Sequence, residues 1–254
     1  MRSEFALDIF IISEAETPPE IESQSSPPQE FNEEEEELLP EIQLDLPTPT
    51  HTKVKTAVYL TSCVQHQKCP PPIYPEFAVI GRSNVGKSSL INMITNCRKL
   101  AHVSKEPGKT RCINHFLIND TWYLVDLPGY GFARVNKAQR DQFEQFTKDY
   151  FTGRKNLCMV FLLIDSTISP QKVDLDYARW LSDNKVPFCL VFTKTDRRKK
   201  GMSNKLTNMV EFKRELLKDF EFLPPSIATS SENGTGKGQL LHLIGGLRIA
   251  ASGK

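Results

Sequence analysis

A length of 254 residues allows one domain of ordinary size together with an additional segment. The net charge of +1 conceals an uneven distribution, because residues 1–50 hold fourteen Asp or Glu against Arg2 alone, which leaves about +14 on the remainder. Six cysteines without a C-x-x-C pair and five scattered histidines predict neither a disulfide framework nor a transition-metal site. A domain this basic is typical of proteins that bind a polyanion such as RNA, although a solvated basic surface gives the same charge.

The first 52 residues are predicted to form a disordered acidic segment. They combine seven prolines with five consecutive glutamates at positions 33–37, a composition that cannot offset the entropy cost of folding. The apolar stretch at residues 5–12 contains Asp8 and is too short to span a membrane, and the segment is too acidic for a transit peptide. We therefore expect no membrane anchor, a folded domain over residues 53–250 and a short tail at 251–254.

A phosphate-binding loop is the feature on which the rest of the prediction depends. The run G-R-S-N-V-G-K-S at positions 81–88 matches G-x-x-x-x-G-K-[ST], between a strand pattern at 77–80 and a helix pattern at 88–95. In such loops the lysine contacts the β- and γ-phosphates and the serine hydroxyl holds Mg²⁺. The expected nucleotide contacts are Gly81, Arg82, Ser83, Asn84, Val85, Gly86, Lys87 and Ser88.

Strand and helix patterns alternate along the rest of the domain. Strand patterns occupy residues 112–118, 121–125, 157–164, 187–192 and 226–229. Helix patterns occupy residues 137–151, 171–182, 206–220 and 238–249. The dipeptide Asn119-Asp120 is suited to a tight hairpin turn, whereas residues 53–72 form an apolar stretch that leads into a proline-rich linker. The alternation predicts an α/β fold with a doubly wound sheet, whose ligand lies at the carboxyl ends of the strands.

A second motif follows the strand pattern that ends at residue 125. It consists of Asp126, Leu127, Pro128 and Gly129. An Asp in this place can hold Mg²⁺ through water, and the glycine N–H can contact the γ-phosphate. Alone, Asp and Gly after a strand usually indicate only a turn, but their position after the loop favours a nucleotide site.

Two further motifs lie where later strands end. Asp196, in the run Thr193, Lys194, Thr195 and Asp196, can accept two hydrogen bonds from guanine N1–H and N2–H₂, which adenine cannot offer. The Lys194 stem can pack over the base. The last strand ends in Thr229, Ser230 and Ser231, whose backbone N–H groups can reach guanine O6. These motifs predict a guanine nucleotide.

The stretch at residues 106–112 completes the predicted site. The Thr110 hydroxyl is the expected second protein ligand of Mg²⁺, beside Ser88. The expected nucleotide contacts here are Gly108, Lys109, Thr110, Arg111 and Cys112. The expected catalytic residues are Lys87, Thr110 and Gly129, and the expected bound species are Mg²⁺ and GTP or GDP.

Together these motifs resemble the EngB (YihA/YsxC) family, in the TrmE-Era-EngA-EngB-septin-like class of P-loop GTPases. The resemblance rests on G-R-S-N-V-G-K-S-S-L, P-G-K-T-R, D-L-P-G-Y-G, T-K-T-D and T-S-S, and it covers about residues 53–247. It implies a Ras-like three-layer αβα fold with a mixed, mostly parallel six-stranded sheet. It further implies Mg²⁺-dependent GTP hydrolysis and a role in assembling the large ribosomal subunit, with bacterial members also linked to cell division and septation.

The same resemblance bears on location. It implies a plastid or a mitochondrion for a eukaryotic chain and the cytoplasm for a bacterial one, and we expect a monomer. The acidic N-terminal segment departs from the family pattern, so location stays open.

Two positions bear on the rate of hydrolysis. Tyr130 stands after D-x-x-G where Ras-type enzymes carry a water-orienting glutamine, so we expect slow intrinsic hydrolysis with charge stabilisation from Lys87 and Mg²⁺. Asn84 stands where potassium-activated relatives of the family carry a loop asparagine that ligates K⁺. The alternative for Asn84 is a loop residue that bonds its own backbone.

The expected partner is a ribosomal large-subunit precursor or its rRNA. Basic residues at positions 197–200, with Arg154, Lys155, Lys137 and Arg140 elsewhere, are candidates for a surface that faces the RNA. Two alternatives stay open. One is a Ras-type signalling or scaffolding switch that acts on a protein effector, and the other is a P-loop kinase or ATPase, which would make the motif at 193–196 accidental.

Overall fold

The computed structural model describes residues 39–64, 66–97, 99–101, 112–131, 137–197 and 205–252. Most of the acidic segment, residues 1–38, lies outside this part of the chain, so its predicted disorder stays a prediction. Within the described residues, seven strands form one sheet and five α-helices pack against it. None of these helices is long and apolar enough to cross a membrane.

The strands and helices fall close to the predicted patterns. The strands are β1 (Ala57–Cys63), β2 (Glu76–Gly81), β3 (Ile113–Ile118), β4 (Trp122–Asp126), β5 (Leu157–Asp165), β6 (Phe188–Thr193) and β7 (Ser226–Ala228). The helices are α1 (Lys87–Thr95), α2 (Lys137–Gly153), α3 (Lys172–Asp183), α4 (Lys205–Leu217) and α5 (Lys237–Ser252). Because α5 continues to Ser252, the C-terminal tail predicted at 251–254 starts too early.

The sheet is mixed and mostly parallel, which confirms the predicted α/β fold. Its strand order is β1-β3-β4-β2-β5-β6-β7. The pairs β1–β3 and β3–β4 are antiparallel, and the other four pairs are parallel. Strands β2, β4, β5 and β6 therefore end at one edge of the sheet, where ligands bind in folds of this kind.

The sheet has seven strands rather than the six that the resemblance implies. The additional strand is β1, which pairs with β3 at the border of the sheet and contains a register shift between Tyr59 and Thr61. Three consecutive apolar residues of β1, Val58, Tyr59 and Leu60, are all exposed. Apolar and polar residues therefore do not alternate along β1 in the way that predicts a half-buried strand. An edge strand with a bulge carries little periodic signal.

Apolar side chains cover both faces of the sheet. On one face, Tyr150 from α2, Leu181 from α3 and Leu216 from α4 pack in one buried cluster. On the other face, Leu90 from α1 and Leu240 from α5 belong to a second cluster. This arrangement is the three-layer αβα architecture, and its central strands are buried on both sides as parallel strands require.

The hairpin between β3 and β4 has the turn that its sequence predicts. Asn119 and Asp120 both have positive φ, 50° and 53°, which is the geometry of a type I′ turn. The Asn119 side chain also accepts hydrogen bonds from the N–H groups of Lys55 and Thr56 at 2.7 and 3.0 Å. The turn thereby fixes the register that brings Asp126 to the ligand edge.

Residues 39–52 are packed against the domain, so the prediction of disorder was wrong for this part of the acidic segment. Ile42 N donates to Leu223 O at 2.8 Å, and Glu41 accepts hydrogen bonds from the backbone N and the hydroxyl of Ser226. Leu44 and Leu46 pack against the buried cluster under α5. Proline-rich composition suggested disorder, but proline also suits an extended chain held by side-chain contacts.

Two consecutive glycines in α5 make room for this segment. A Cβ at Gly245 would lie 2.6 Å from Pro49 Cβ, and one at Gly246 would lie 3.0 Å from Leu46 Cβ. Gly costs about 1 kcal/mol in a helix interior relative to Ala. The close approach of residues 46–49 to α5 explains why glycine stands at these two positions in spite of that cost.

A buried polar network holds the beginning of β2. Glu76 is fully buried and accepts hydrogen bonds from Arg154 at 2.6 and 3.1 Å, from Asn156 at 3.3 Å and from the Tyr150 hydroxyl. Burial alone would raise the pKa of Glu76, but its contacts with the His115 ring and Arg154 lower it to about 2. Arg154 is thus a structural partner of Glu76, and its assignment to an RNA-facing surface was wrong.

Candidate functional site

The loop at residues 81–88 leaves the end of β2 and enters α1 at Lys87. Gly86 has φ 118°, a conformation that side chains rarely adopt, and it caps the start of the helix. A Cβ at Gly81 would lie 2.8 Å from Leu163 O, so only glycine fits against β5. The N-terminus of α1 and the preceding loop amides together form the kind of concavity that binds phosphate.

Lys87 lies inside this loop. It is 9% exposed, and its Nζ donates to the carbonyl oxygens of Gly81 and Arg82 at 3.2 and 3.3 Å. Burial lowers the pKa of Lys87, and the negative charge of Asp126 opposes that shift. The ammonium group is therefore held at the centre of the loop, where an oxyanion is its natural partner.

Asp126 ends β4 beside Lys87 and is 3% exposed. Its Oδ1 has no hydrogen-bond partner among the described residues. Burial raises the pKa of Asp126 to about 6, against the opposing effects of Lys87 and of a hydrogen bond with Asn114. An orphaned carboxylate oxygen at this edge fits a divalent cation and its bound waters, which supply the missing contacts.

The segment after Asp126 lies directly on the phosphate-binding loop. Tyr130 N donates to Gly81 O at 3.3 Å, and Ser83 N donates to Tyr130 O at 3.2 Å. Gly129 is packed so closely that an added Cβ would lie 2.6 Å from Lys87 Nζ. Residues 129–130 therefore lie in direct contact with the loop and with Lys87.

The side chain of Tyr130, unlike its backbone, is bound by residues outside the phosphate-binding loop. Its hydroxyl donates to Asp174 Oδ1 at 2.9 Å, and its ring stacks on Tyr177 with the centroids 4.4 Å apart. Arg82 Nε binds the same carboxylate at 2.8 and 3.0 Å. Burial and the adjacent Asp174 raise the pKa of Tyr130 well above its ordinary value, so the phenol stays protonated. Because the hydroxyl is neutral and already bound to Asp174, the Tyr130 side chain is poorly suited to orient the attacking water.

The motif at residues 193–196 contacts the same loop from β6. Thr193 Oγ1 donates to Val85 O at 2.8 Å, and Lys194 Nζ donates to Asn84 O at 2.9 Å. Lys194 also forms an ion pair with Asp165 at the end of β5. The lysine stem is thereby fixed across the mouth of the site.

Asp196 and the motif at 229–231 meet at this edge. Ser230 Oγ donates to Asp196 Oδ1 at 2.6 Å, and Thr195 N donates to Thr229 O at 3.2 Å. A cleft of about 330 Å³ lies between the loop and these motifs. Residues that line it include Val85, Gly86, Lys194, Asp196 and Ser231. The four motifs thus converge on one edge of the sheet, and residues of three of them line one cleft.

Part of the predicted site falls outside the described residues. Gly108, Lys109, Thr110 and Arg111 belong to that part, so their roles stay predictions. Cys112 is described and lies half-buried just before β3, whose first residues pair with the end of β4 near Asp126. Ser88 is the second residue of α1, and its hydroxyl and the Asp126 carboxylate are oxygen ligands of the kind that Mg²⁺ prefers.

Sequence reasoning missed three residues that position this site. Asp165 could have been found, because it follows an apolar strand run just as Asp126 does. Asp174 and Tyr177 lie on α3 without a motif, and only the fold brings them to Tyr130.

Comparisons with known proteins agree with this geometry. A family profile described as 50S ribosome-binding GTPase matches residues 76–194. The "Probable GTP-binding protein EngB" of Bacteroides thetaiotaomicron is 48% identical over 192 residues, which is 76% of this chain and 94% of the relative.

Two crystal structures show the same fold at lower identity. A probable GTP-binding protein EngB is 21% identical, with a TM-score of 0.51 over 68% of this chain and 98% of its own. Era, in complex with MgGDPNP and nucleotides 1506–1542 of 16S ribosomal RNA, is 21% identical, with a TM-score of 0.52 over 68% of this chain and 56% of its own. The motifs, their convergence and the close relative together establish that this chain belongs to the EngB family of GTP-binding proteins and is a GTPase.

Proposed function

We propose that this GTPase is a GTP-controlled assembly factor that binds a precursor of the large ribosomal subunit and leaves it after hydrolysis. The observation that carries the proposal is the contact between Gly129, Tyr130 and the phosphate-binding loop. Because residues 129–130 lie against the loop and Lys87, the loss of a terminal phosphate would change the contacts that hold these two residues in place. A partner that recognises this segment is then bound in one nucleotide state and released in the other.

The ribosomal partner is supported by charge and by analogy. The chain beyond residue 50 carries about +14, which favours an RNA surface. The matching family profile is described as ribosome-binding, and Era has been crystallised with ribosomal RNA. The first description applies to the family and the second to Era. They support a ribosomal partner for this chain through its family membership and through its similar fold.

The basic side chains do not all lie at one place. Arg197 is exposed and follows Asp196 at the nucleotide edge. Lys155 precedes β5 and therefore lies near the opposite edge of the sheet. The proposed RNA contact is the run at positions 197–200, of which residues 198–200 lie outside the described part of the chain.

We further propose that Ser88, Thr110 and Asp126 hold Mg²⁺, with Asp126 acting through water. The ion supplies charge stabilisation at the phosphates. The protein contributes the buried ammonium of Lys87, the loop amides and the close packing of Gly129 against the loop. Asn84 is the proposed ligand of an activating K⁺, and equal turnover in KCl and NaCl would remove that assignment.

Co-sedimentation with large-subunit precursor particles tests the proposal. We expect the chain to sediment with the particles in a non-hydrolysable GTP analogue and to stay in the supernatant in GDP. Lys87→Ala, which loses the phosphate contact, should not sediment in either nucleotide. Equal sedimentation in GTP analogue and in GDP would contradict a nucleotide-controlled contact.

Charge-neutral variants locate the RNA contact. Replacing the four basic residues at 197–200 by Ala should weaken particle binding and reduce its dependence on salt. The control replaces Lys185 and Lys218, which are exposed and follow the C-terminal ends of α3 and α4, away from the nucleotide edge; it removes two charges, so the losses are compared per charge removed. Equal loss in both variants would place the contact elsewhere.

A further inference from the structure

A second cluster of ligand-type side chains lies outside the nucleotide site. Cys63 ends β1, Cys69 follows the short 3-10 turn at His66–Lys68, and His115 lies in β3. One ligand atom from each of these residues lies within 4.8 Å of the other two. Sequence spacing did not predict a transition-metal site, because the turn and the strand pairing bring the three residues together.

Within this cluster, His115 has ring nitrogens without a hydrogen-bond partner in the described part of the chain. Its side chain is fully buried, and neither Nδ1 nor Nε2 has a hydrogen-bond partner among the described residues. The nearest carboxylate oxygen is Glu76 Oε2, 3.6 Å from Nε2, which is too long for a hydrogen bond. A buried polar atom without a partner is unfavourable, so its presence in a folded protein calls for an explanation such as a bound ligand.

Glu76 is not free to serve as the missing partner. Both of its oxygens are engaged by Arg154, and Asn156 and Tyr150 bind them as well. Its Oε2 nevertheless faces Nε2 of the ring, so a small shift would let it orient the imidazole from outside the coordination sphere while the other ring nitrogen binds an ion. The Cys63 thiol donates a hydrogen bond to Lys68 O at 3.1 Å, and this proton must leave when the thiolate binds an ion.

The donor set selects the class of ion. Two thiols and an imidazole suit Zn²⁺, whereas Mg²⁺ and Ca²⁺ prefer oxygen. In a tetrahedral zinc site the ligand atoms lie about 3.5–3.8 Å apart, given bond lengths of about 2.3 Å to sulfur and 2.0 Å to nitrogen. Shifts of under about 1 Å at each side chain would reach that spacing from 4.8 Å. Each thiol releases its proton on binding, and the two thiolates then balance the charge of a divalent cation, which lowers the cost of burying it.

We propose that Cys63, Cys69 and His115 form a binding site for Zn²⁺ that is separate from the nucleotide site. The ion would tie the connection between β1 and β2 to β3. It would add to the hydrogen bonds that Arg154 and Asn156 already donate to this connection, at Pro70 O and Tyr74 O. A disulfide between Cys63 and Cys69 is the competing use of the two thiols, but it would leave His115 without a partner.

Cobalt substitution tests the site in the full chain under reducing conditions. Co²⁺ bound by thiolates gives a charge-transfer absorption, and Co²⁺ in the oxygen-lined nucleotide site does not. We expect one equivalent of Co²⁺ with this absorption, displaced by Zn²⁺. Cys69→Ser, at the half-buried member, should lose most of the absorption while GTP affinity stays unchanged, which shows that the variant folds.

Cys158→Ser is the matched control, since Cys158 is another half-buried cysteine outside the cluster. It should keep both the cobalt spectrum and the zinc content of the wild type. A chelator should lower the Tm of the wild type and of Cys158→Ser, but not that of Cys69→Ser. The proposal is overturned by an absent thiolate band, by a band that persists in Cys69→Ser, or by a Cys63–Cys69 disulfide in place of bound metal.

Discussion

Two buried carboxylates, at opposite ends of neighbouring strands, show how this fold separates stability from function. Glu76 begins β2 and Asp126 ends β4, and they are 0% and 3% exposed. Glu76 is surrounded by donors, and its contacts lower its pKa to about 2 despite burial. Asp126 keeps an orphaned oxygen, and burial raises its pKa to about 6. The first carboxylate stabilises the fold, whereas the second is held ready for a ligand.

The two groups should affect stability in opposite directions as pH changes. Glu76 has a folded pKa of about 2 against an ordinary value of 4.5, so its contribution is full above pH 4.5 and is lost as pH falls toward 2. Asp126 has a folded pKa of about 6 against 3.8, so its ionisation lowers stability as pH rises from 3.8 to 6. Each of these pKa shifts corresponds to a change of about 3 kcal/mol in the free energy of unfolding.

Removing the charge of Glu76 should produce the largest effect on stability. Glu76→Gln leaves the guanidinium of Arg154 buried without its counter-charge, so we expect the free energy of unfolding at pH 7 to fall by about 3–5 kcal/mol. Urea denaturation measures this change. Glu144→Gln, in an exposed pair with Lys148, should cost less than about 1 kcal/mol. Similar losses in both variants would contradict the structural role of Glu76.

The equivalent change at Asp126 should impair turnover instead of stability. Asp126→Asn removes the cost of burying a charge, so the free energy of unfolding of the nucleotide-free protein at pH 7 should stay unchanged or rise by up to about 2 kcal/mol. The gain is smaller than the full shift because Lys87 loses a counter-charge. GTP hydrolysis should fall by about 10- to 100-fold. A marked loss of stability with normal turnover would reverse the roles of the two carboxylates.

The packed N-terminal segment offers a smaller test within one helix. Gly245→Ala places a Cβ against Pro49, and we expect it to lower the free energy of unfolding by about 1–3 kcal/mol. Gly238→Ala in the same helix meets no atom within 4 Å and should raise it by about 0.5–1 kcal/mol. Thermal denaturation of the two variants gives the comparison. If Gly245→Ala stabilised the protein as well, residues 46–52 would not be packed on α5.

The smallest effect is expected at Tyr130. Tyr130→Phe keeps the stack on Tyr177 but removes the hydrogen bond to Asp174, which should cost about 1–2 kcal/mol of stability. Single-turnover GTP hydrolysis should stay within about threefold of the wild type, since loss of a general acid or base costs about 100-fold or more. A loss of that larger size would give the phenol a direct part in the chemistry.

The sequence predicted most of the fold because its strands are nearly continuous apolar runs. The run at 157–164 identifies β5 to within one residue, and Asn119-Asp120 identifies the hairpin. The four motifs were found because each follows a strand, so that their convergence is a consequence of topology.

The elements that were missed lack a local signal. Strand β1 shows no alternation, and residues 39–52 have a composition typical of disorder although Leu44 and Leu46 are packed on the core. Arg154 was expected on the surface because charge in a sequence does not reveal that Glu76, 78 positions earlier, is its partner. Asp174, His115 and Cys69 depend likewise on contacts between distant parts of the chain.

The central claim is that a guanine base is read by Asp196 at the edge where the phosphates bind. Titration of Asp196→Asn with GTP and with XTP tests it most directly, because an amide matches the xanthine edge and mismatches guanine. We expect GTP affinity to fall by at least about 100-fold while XTP affinity rises above that of the wild type. Unchanged GTP affinity together with no gain for XTP would show that Asp196 does not select the base.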